Sequence, residues 1–344
     1  MWKSDVKTVH HSLTQLVKEG LIVRYPKKGT FVRQREERLT CIGLYYAYNY
    51  FGTSGSLYIQ SLHEALKTEL NIAGIEMDMW LDPRPGQKTG EPWAPLARAA
   101  ELRKFQALIA PVTSLANLRW VTKLAVPTAF QGGANLPNHV QYNMPQFAEL
   151  GLQALAKQGC RSVGLIAPMA TSTVHADARP PYDGFFGRFT DLSGDLGLTI
   201  KSQWMRVPRY EGDLENFYRN SAEAFGYEQF LQLWKQATKP DGLIVFDDVT
   251  ARGVIMALQA QQVRVPEELK LVLHKNEAID LLCPVPATFA VSSERAMARA
   301  LIEQVQKQFR GEPVEPISLP FRLMVHRGSS QRETNQPMKG VSQL

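Results

Sequence analysis

The chain has 344 residues, of which 44% are hydrophobic and 21% charged, a globular composition that excludes a disordered polymer. No apolar run approaches the roughly 18–20 residues of a membrane span, and the start, Met-Trp-Lys-Ser-Asp-Val-Lys, has no apolar signal core, so a cytoplasmic location is expected. The net charge of +6 is lopsided: residues 1–38 hold nine Lys/Arg against four acids, and the remainder is nearly neutral. A basic head on a neutral body suggests a polyanion-binding module attached to a body with another task. The three cysteines (Cys41, Cys160, Cys283) stand too far apart for a metal or redox motif, so neither a metal nor a cofactor is expected.

In the head, Val6, Val9, Leu13, Leu16 and Val17 fall on one stripe of period 3.6 and predict a helix ending at Gly20. Lys7, Thr8, His10, His11 and Lys18 lie on its other face. Two β-prone runs, Leu21–Tyr25 and Thr30–Arg33, flank Pro26-Lys27-Lys28-Gly29 and predict a hairpin with a basic tip. Such a helix can enter a major groove and the hairpin can lie along phosphates.

The pattern Thr8-Val9-x-x-Ser12-Leu13-x-x-Leu16-x-x-Glu19-Gly20-Leu21-Ile22 resembles the recognition helix of a GntR-type winged-helix domain. Arg24-Tyr-Pro-Lys-Lys-Gly29-Thr30-Phe31-Val32 is similar to its wing. The resemblance implies Lys7, Thr8, His10 and His11 near bases, and Lys27, Lys28 and Thr30 near phosphates. That family places two further helices before this one. A unit of under 40 residues is marginal by itself. The expectation is therefore a partial winged helix over 1–35 with its true start upstream, a vestigial head being the alternative. A linker is expected over 36–39.

From Leu39 onward strands and helices alternate. Strands are predicted at Cys41–Tyr46, Ile75–Leu81, Ala107–Pro111 and Val126–Phe130, and helices at Leu57–Leu70, Ala94–Lys104 and Leu115–Leu124. A second set follows helix Pro145–Gln158. Its strands are Ser162–Ala167, Thr199–Arg206, Gly242–Phe246 and Lys270–His274. Its helices are Asp183–Leu196, Ala224–Ala237 and Val249–Gln262. Near-continuous apolar strands alternating with helices mean parallel sheets covered on both faces, here an α/β body of two lobes. Ligands of such sheets bind beyond the carboxyl ends of the strands, and two facing edges make a cleft.

Pro240-Asp-Gly-Leu-Ile-Val-Phe-Asp-Asp-Val-Thr-Ala-Arg-Gly-Val, Val265-Pro-Glu-Glu-Leu-Lys-Leu-Val and Gly311-Glu-Pro-Val-Glu-Pro-Ile-Ser-Leu-Pro-Phe-Arg-Leu resemble the ligand region of LacI/GalR-type repressors, itself similar to periplasmic sugar-binding proteins. With the head, this is the arrangement of arabinose-repressor-like regulators. The resemblance implies a periplasmic-binding-protein-like domain over 40–330. Lobe 1 would span about 40–143 and 290–318, lobe 2 about 144–289 and 319–330, with crossings near Asn143–Gln146, Phe289–Ser293 and Leu319–Phe321, and helix Ser293–Phe309 would return to lobe 1. A disordered tail is expected over 331–344. It further implies a dimeric repressor that binds operator DNA and is switched by a small-molecule effector, a sugar or sugar acid. A solute sensor without DNA binding is the alternative.

Sugars need apolar faces and paired polar groups. Tyr48, Phe51 and Tyr58 beyond the first strand are candidate stacking walls, or else lobe core. Of Asp247 and Asp248, one would face the cleft and the other cap the next helix. Where the family carries Gly-Phe-Asp-Asp, this chain reads Leu273-His-Lys275-Asn276. Lys275 there suits a carboxylate or phosphate, or is a solvated loop lysine. Arg179, before Pro180-Pro-Tyr-Asp-Gly184-Phe, is carried over as a ligand-holding arginine, and Gln131 and Asn143 are further candidates. An enzyme is not expected. Gly52-Thr-Ser-Gly55-Ser lacks the phosphate-loop lysine, His63-Glu64 has no second histidine one turn on, and no Gly-x-Ser-x-Gly is present.

Overall fold

The computed structural model describes residues 6–18, 22–25, 29–32, 38–47, 51, 56–84, 88, 90–112, 119–132, 136–168, 183–207 and 222–328. They fall into two compact units, Met1–Thr40 and Cys41–Leu344. In the first, α1 spans Val6–Lys18, and β1 (Ile22–Tyr25) pairs antiparallel with β2 (Gly29–Val32). The 3.6-residue stripe forms the helix, but it is only half covered: Val9 and Val17 stay exposed while Leu13 and Leu16 are partly buried.

The second unit holds two six-stranded sheets. In lobe 1, β3 (Cys41–Tyr46), β4 (Glu76–Leu81), β5 (Ala107–Val112), β6 (Thr128–Gln131), β7 (His139–Tyr142) and β13 (Ile317–Leu319) lie in the order β13-β7-β6-β5-β3-β4, all parallel. Helices α2 (Leu57–Ala73) and α3 (Ala94–Glu101) connect them. Ser56 caps α2, and Gly74 ends it at φ 65°, a left-handed turn that glycine adopts without steric cost. Tyr45, Leu96, Phe105, Leu108, Trp120 and Phe130 fill one face of the sheet.

Lobe 2 contains α4 (Met144–Lys157), β8 (Val163–Ile166), α5 (Asp183–Asp195), β9 (Met205–Arg206), α6 (Ala222–Trp234), β10 (Gly242–Val245), α7 (Asp248–Ala260), β11 (Lys270–Asn276) and β12 (Ala287–Ser292). Its sheet runs β14-β12-β11-β10-β8-β9, with β14 (Arg322–His326) antiparallel at the edge. Strand alternation sends Leu243, Val245, Leu271 and Leu273 to the α6/α7 face. Ile244, Val272 and Ala290 go to the α4/α5 face. Helices α6 and α7 approach backbone to backbone: a Cβ on Gly253 would sit 1.8 Å from the Glu223 carbonyl oxygen. Helix α8 (Glu294–Phe309) follows β12 but packs on α2 and β6 of lobe 1. The chain therefore changes lobe three times: after β7, after β12 and after β13.

Two expectations need correction, and one strand was not foreseen. The strand predicted over Thr199–Arg206 is a single bridge at Thr199, a 3₁₀ turn at Ser202–Trp204 and the two-residue β9. The turn buries Trp204, whose indole N–H donates to the Thr238 carbonyl at 3.0 Å. The helix over Ala94–Lys104 stops at Glu101, because Arg103 takes φ 52°. Strand β7, where the sequence reading placed no element, extends the first sheet. Of the helix predicted at Leu115–Leu124, residues 115–118 lie outside the described residues, and 119–121 are helical.

Candidate ligand cleft between the lobes

The three crossings are tied to one another. At the first, Asn143 caps α4, its Oδ1 accepting from Gln146 N at 3.0 Å, and its own N–H donates to the Leu319 carbonyl of the third at 2.8 Å. Gln146 Oε1 accepts from Phe321 N at 2.8 Å. Tyr142 stands against Phe321, ring centroids 5.6 Å apart, and donates its hydroxyl to the Ser293 carbonyl of the second crossing at 3.2 Å. Ser293 caps α8. Beside it Glu294, 1% exposed, accepts from Ser61 Oγ of α2 at 3.1 Å and from Ala278 N of lobe 2 at 3.4 Å. Burial pushes its carboxyl above the ordinary range.

On the lobe 1 side, Tyr58 opens α2 and lies under the end of β6. Gln131 Nε2 donates to its hydroxyl at 2.6 Å, and that hydroxyl donates to Tyr142 Oη at 3.4 Å. Burial raises both phenols well above their ordinary value. Gln131 Oε1 is buried with no partner among the described residues. Phe51 packs against Tyr46 at 5.1 Å and His63 at 4.9 Å, so its ring rests on lobe 1 side chains. Tyr48 lies outside the described residues.

On the lobe 2 side, Asp247 is the cap of α7, its Oδ1 accepting from Thr250 N at 3.0 Å, and Asp248 is the first helical residue, 4% exposed. Burial first, then the neighbouring Asp248 charge, pushes the Asp247 carboxyl up to about 6. Lys275 folds back: Nζ donates to the carbonyls of Asn276 at 2.9 Å and Glu277 at 3.1 Å. Asn276 is 3% exposed, and its Oδ1 accepts from Ser292 Oγ at 2.8 Å. Arg179 lies outside the described residues, as do Lys27 and Lys28. Lys7 lies on α1; Thr8, His10, His11 and Thr30 are exposed in the first unit.

Sequence reasoning passed over His274, Ser292, Tyr142 and Glu294. His274 is 4% exposed on β11, between the rings of Phe246 at 4.7 Å, Phe321 at 5.8 Å and Phe147 at 6.2 Å, with Nε2 2.9 Å from Ser292 Oγ. Burial holds its pKa down at about 4, so it is neutral. The only signal was a histidine inside an apolar strand, on the same face as Val272. An open groove of about 480 Å³ joins the lobes beside Glu294, lined by Leu57, Gln60, Ser61, Glu64, Arg252 and Ile279 among others. Among the described residues, no group of three His, Cys, Asp or Glu could hold a metal, and no helix is long and apolar enough to cross a membrane.

Two largely parallel sheets, three tied crossings and a groove lined from both sides define a two-lobed body. The family model for the periplasmic binding protein-like domain matches residues 152–330, just over half of the chain. The chain belongs to that family. It is 27% identical over 188 residues to the HTH-type transcriptional repressor PurR of Glaesserella parasuis serovar 5 (strain SH0165), covering 53% of this chain and 50% of that protein. The PurR of Pasteurella multocida (strain Pm70) is 28% identical over 187 residues, with the same shares. The chain thus spans about half the length of the curated relatives it matches. Among solved structures, a LacI family transcription regulator from Clostridium acetobutylicum aligns with TM-score 0.64 and 19% identity over 84% of this chain and 100% of that one. The transcriptional regulator CelR–cellobiose complex aligns with TM-score 0.63 and 15% identity over 96% and 92%.

Proposed function

We propose that this chain is an effector-responsive transcriptional repressor acting on operator DNA in the cytoplasm. The observation that carries the reading is the match to two repressors over about half of the chain. An effector in the cleft draws the lobes together about the tied crossings, and the change in lobe geometry alters DNA affinity by a coupling of about 1–3 kcal/mol. The head acts as a GntR-type winged helix. Lys7, Thr8, His10 and His11 approach bases, and Lys27, Lys28 and Thr30 approach phosphates. The exposure of Thr8, His10, His11 and Thr30 favours this assignment. The body works as a homodimer, supported by Met256, 56% exposed, and Leu282, 87% exposed, on lobe 2. The effector is a sugar or a sugar-derived molecule seated by Tyr58, Gln131 and Asp247, with Tyr48, Phe51, Asn143, Arg179, Lys275 and Asn276 around it.

The test is fluorescence anisotropy of this chain, and of a version extended upstream by the encoded residues, on the DNA preceding its gene at low and moderate salt. Specific binding by either form supports the repressor. Non-specific binding by both would refute it and leave a small-molecule sensor.

A further inference from the structure

The carboxyl edge of lobe 2 holds two buried polar atoms that lack partners among the described residues, Asp248 Oδ2 and His274 Nδ1. Both side chains are more than nine-tenths buried, and the Thr250 hydroxyl stands against Asp247. Strand register brings the two together, since Val245 pairs with Leu273 and places Phe246, just before the Asp247–Asp248 pair, beside His274 on the next strand. Asp248 also acts electrostatically on both Asp247 and His274.

The hydrogen bonds fix the polarity of this edge. Ser292 Oγ gives its proton to Asn276 Oδ1, so it accepts from His274 Nε2–H. The histidine therefore carries its proton on Nε2 and leaves a lone pair on Nδ1. Asp248 Oδ2 is an acceptor as well, and on the lobe 1 side so is Gln131 Oε1. The cation that the sequence offered for an acidic ligand, Lys275, is held by two backbone carbonyls of its own loop. A buried carboxylate pair beside acceptor atoms calls for a positive donor, because an unpaired buried charge is costly and a paired one is not.

We infer that the effector carries a cationic amino group, read in lobe 2 by Asp248 and His274 beside Asp247. This rests on the cleft being the effector site. An ammonium supplies three N–H donors and one positive charge, which matches a carboxylate oxygen and an imidazole nitrogen. A carboxylate or phosphate would meet the Asp247–Asp248 pair and the bare His274 nitrogen at this edge. Two cations of lobe 2 are rival seats for an anion: Arg252 on the groove wall, whose Nη2 donates to the Asp280 carbonyl at 3.3 Å, and Arg206 on the far edge strand β9. One of the Arg206 guanidinium N–H groups donates to Gln232, and its Nε has no partner among the described residues.

Titration calorimetry and thermal melting of the full chain test this with matched probes: D-glucosamine, D-glucose and D-gluconate, then putrescine, butane-1,4-diol and succinate. In at least one set the amine should bind roughly tenfold more tightly than its hydroxyl counterpart, and the acid should not bind. Asp248→Asn and, as a second variant with its own melting check, His274→Gln should shrink that preference to about twofold or less. An acid that binds as well as the amine, no shift with any amine, or a preference surviving both variants would overturn the inference. DNA binding measured on the same preparation keeps the two readings apart. DNA binding without amine preference sinks the effector class and leaves the repressor. Amine preference without DNA binding does the reverse.

Discussion

Asp247 and His274 titrate in opposite directions on folding, and their effects on stability should cancel. The Asp247 carboxyl rises from 3.8 to about 6, because burial and Asp248 disfavour its charge. The folded protein then holds a proton there that the unfolded chain has lost. Stability from this group is fully present below pH 3.8 and is lost as pH rises through about 6. His274 falls from 6.5 to about 4 through burial among aromatic rings, so its contribution is present above pH 6.5 and lost as pH falls through about 4. Each shift amounts to roughly 3 kcal/mol at 1.36 kcal/mol per pH unit. Asp247→Asn keeps a capping side chain. It should expose the histidine term, with stability dropping by about 3 kcal/mol between pH 7 and pH 4 relative to wild type. His274→Gln keeps an amide donor for Ser292 and should do the opposite by about the same amount. Urea unfolding followed by tryptophan fluorescence at several pH values measures both. Exposed carboxylates are common to all three proteins, so the differences isolate the two groups. Stability curves that run parallel with pH for wild type and both variants would refute the assignment.

Three further outcomes follow from the packing and the head. Gly253→Ala must push α6 from α7, because its Cβ would fall inside the Glu223 carbonyl. A loss of about 1–3 kcal/mol is expected in urea unfolding, and a loss under about 0.5 would contradict the close contact. Asp241 accepts from Arg161 N at 2.9 Å, Ser162 N at 2.8 Å and Ser162 Oγ at 2.8 Å, and although burial opposes it, these bonds hold its carboxyl below the ordinary range. Asp241→Ala should lower the midpoint by the equivalent of about 2 kcal/mol, and an unchanged midpoint would show that the three donors find other acceptors. Replacing Lys27 and Lys28 by alanine should flatten the salt dependence of DNA binding by about one unit each, and an unchanged slope would remove the hairpin tip from the phosphate contacts.

The two lobes were legible because buried parallel strands read as apolar runs: Gly242–Val245 and Val163–Ile166 are buried throughout. Strand β7 was not, since His139-Val-Gln-Tyr142 is short and half polar and gains its identity only from β6 and β13 on either side. At the cleft the residue types were legible and their directions were not. Nothing in Asp247-Asp248 says which one caps α7; the extended backbone of Asp247 decides it. A lysine's long stem lets Lys275 return to its own carbonyls instead of reaching a ligand. His274 looked like strand filler, because its importance depends on Ser292 and Asn276, and Ser292 stands on another strand.

The hinge can be probed at a single hydroxyl. Tyr142 is where the crossings share a polar contact, as it donates to Ser293 O at 3.2 Å and receives from Tyr58 at 3.4 Å. The backbone ties from Asn143 to Leu319 and from Phe321 to Gln146 do not involve it. The Ser293 carbonyl also keeps its bond from Met297 N at 3.1 Å. Tyr142→Phe therefore leaves no buried carbonyl bare and preserves the ring against Phe321, and about 1 kcal/mol of stability should be lost. What it does remove is the link from the lobe 1 relay of Gln131 and Tyr58 to the start of α8. In the repressor reading, effector affinity should change little while the effector's influence on DNA affinity falls. Equal losses in both would make Tyr142 part of the binding wall, and a loss above about 3 kcal/mol in unfolding would make it a strut of the core.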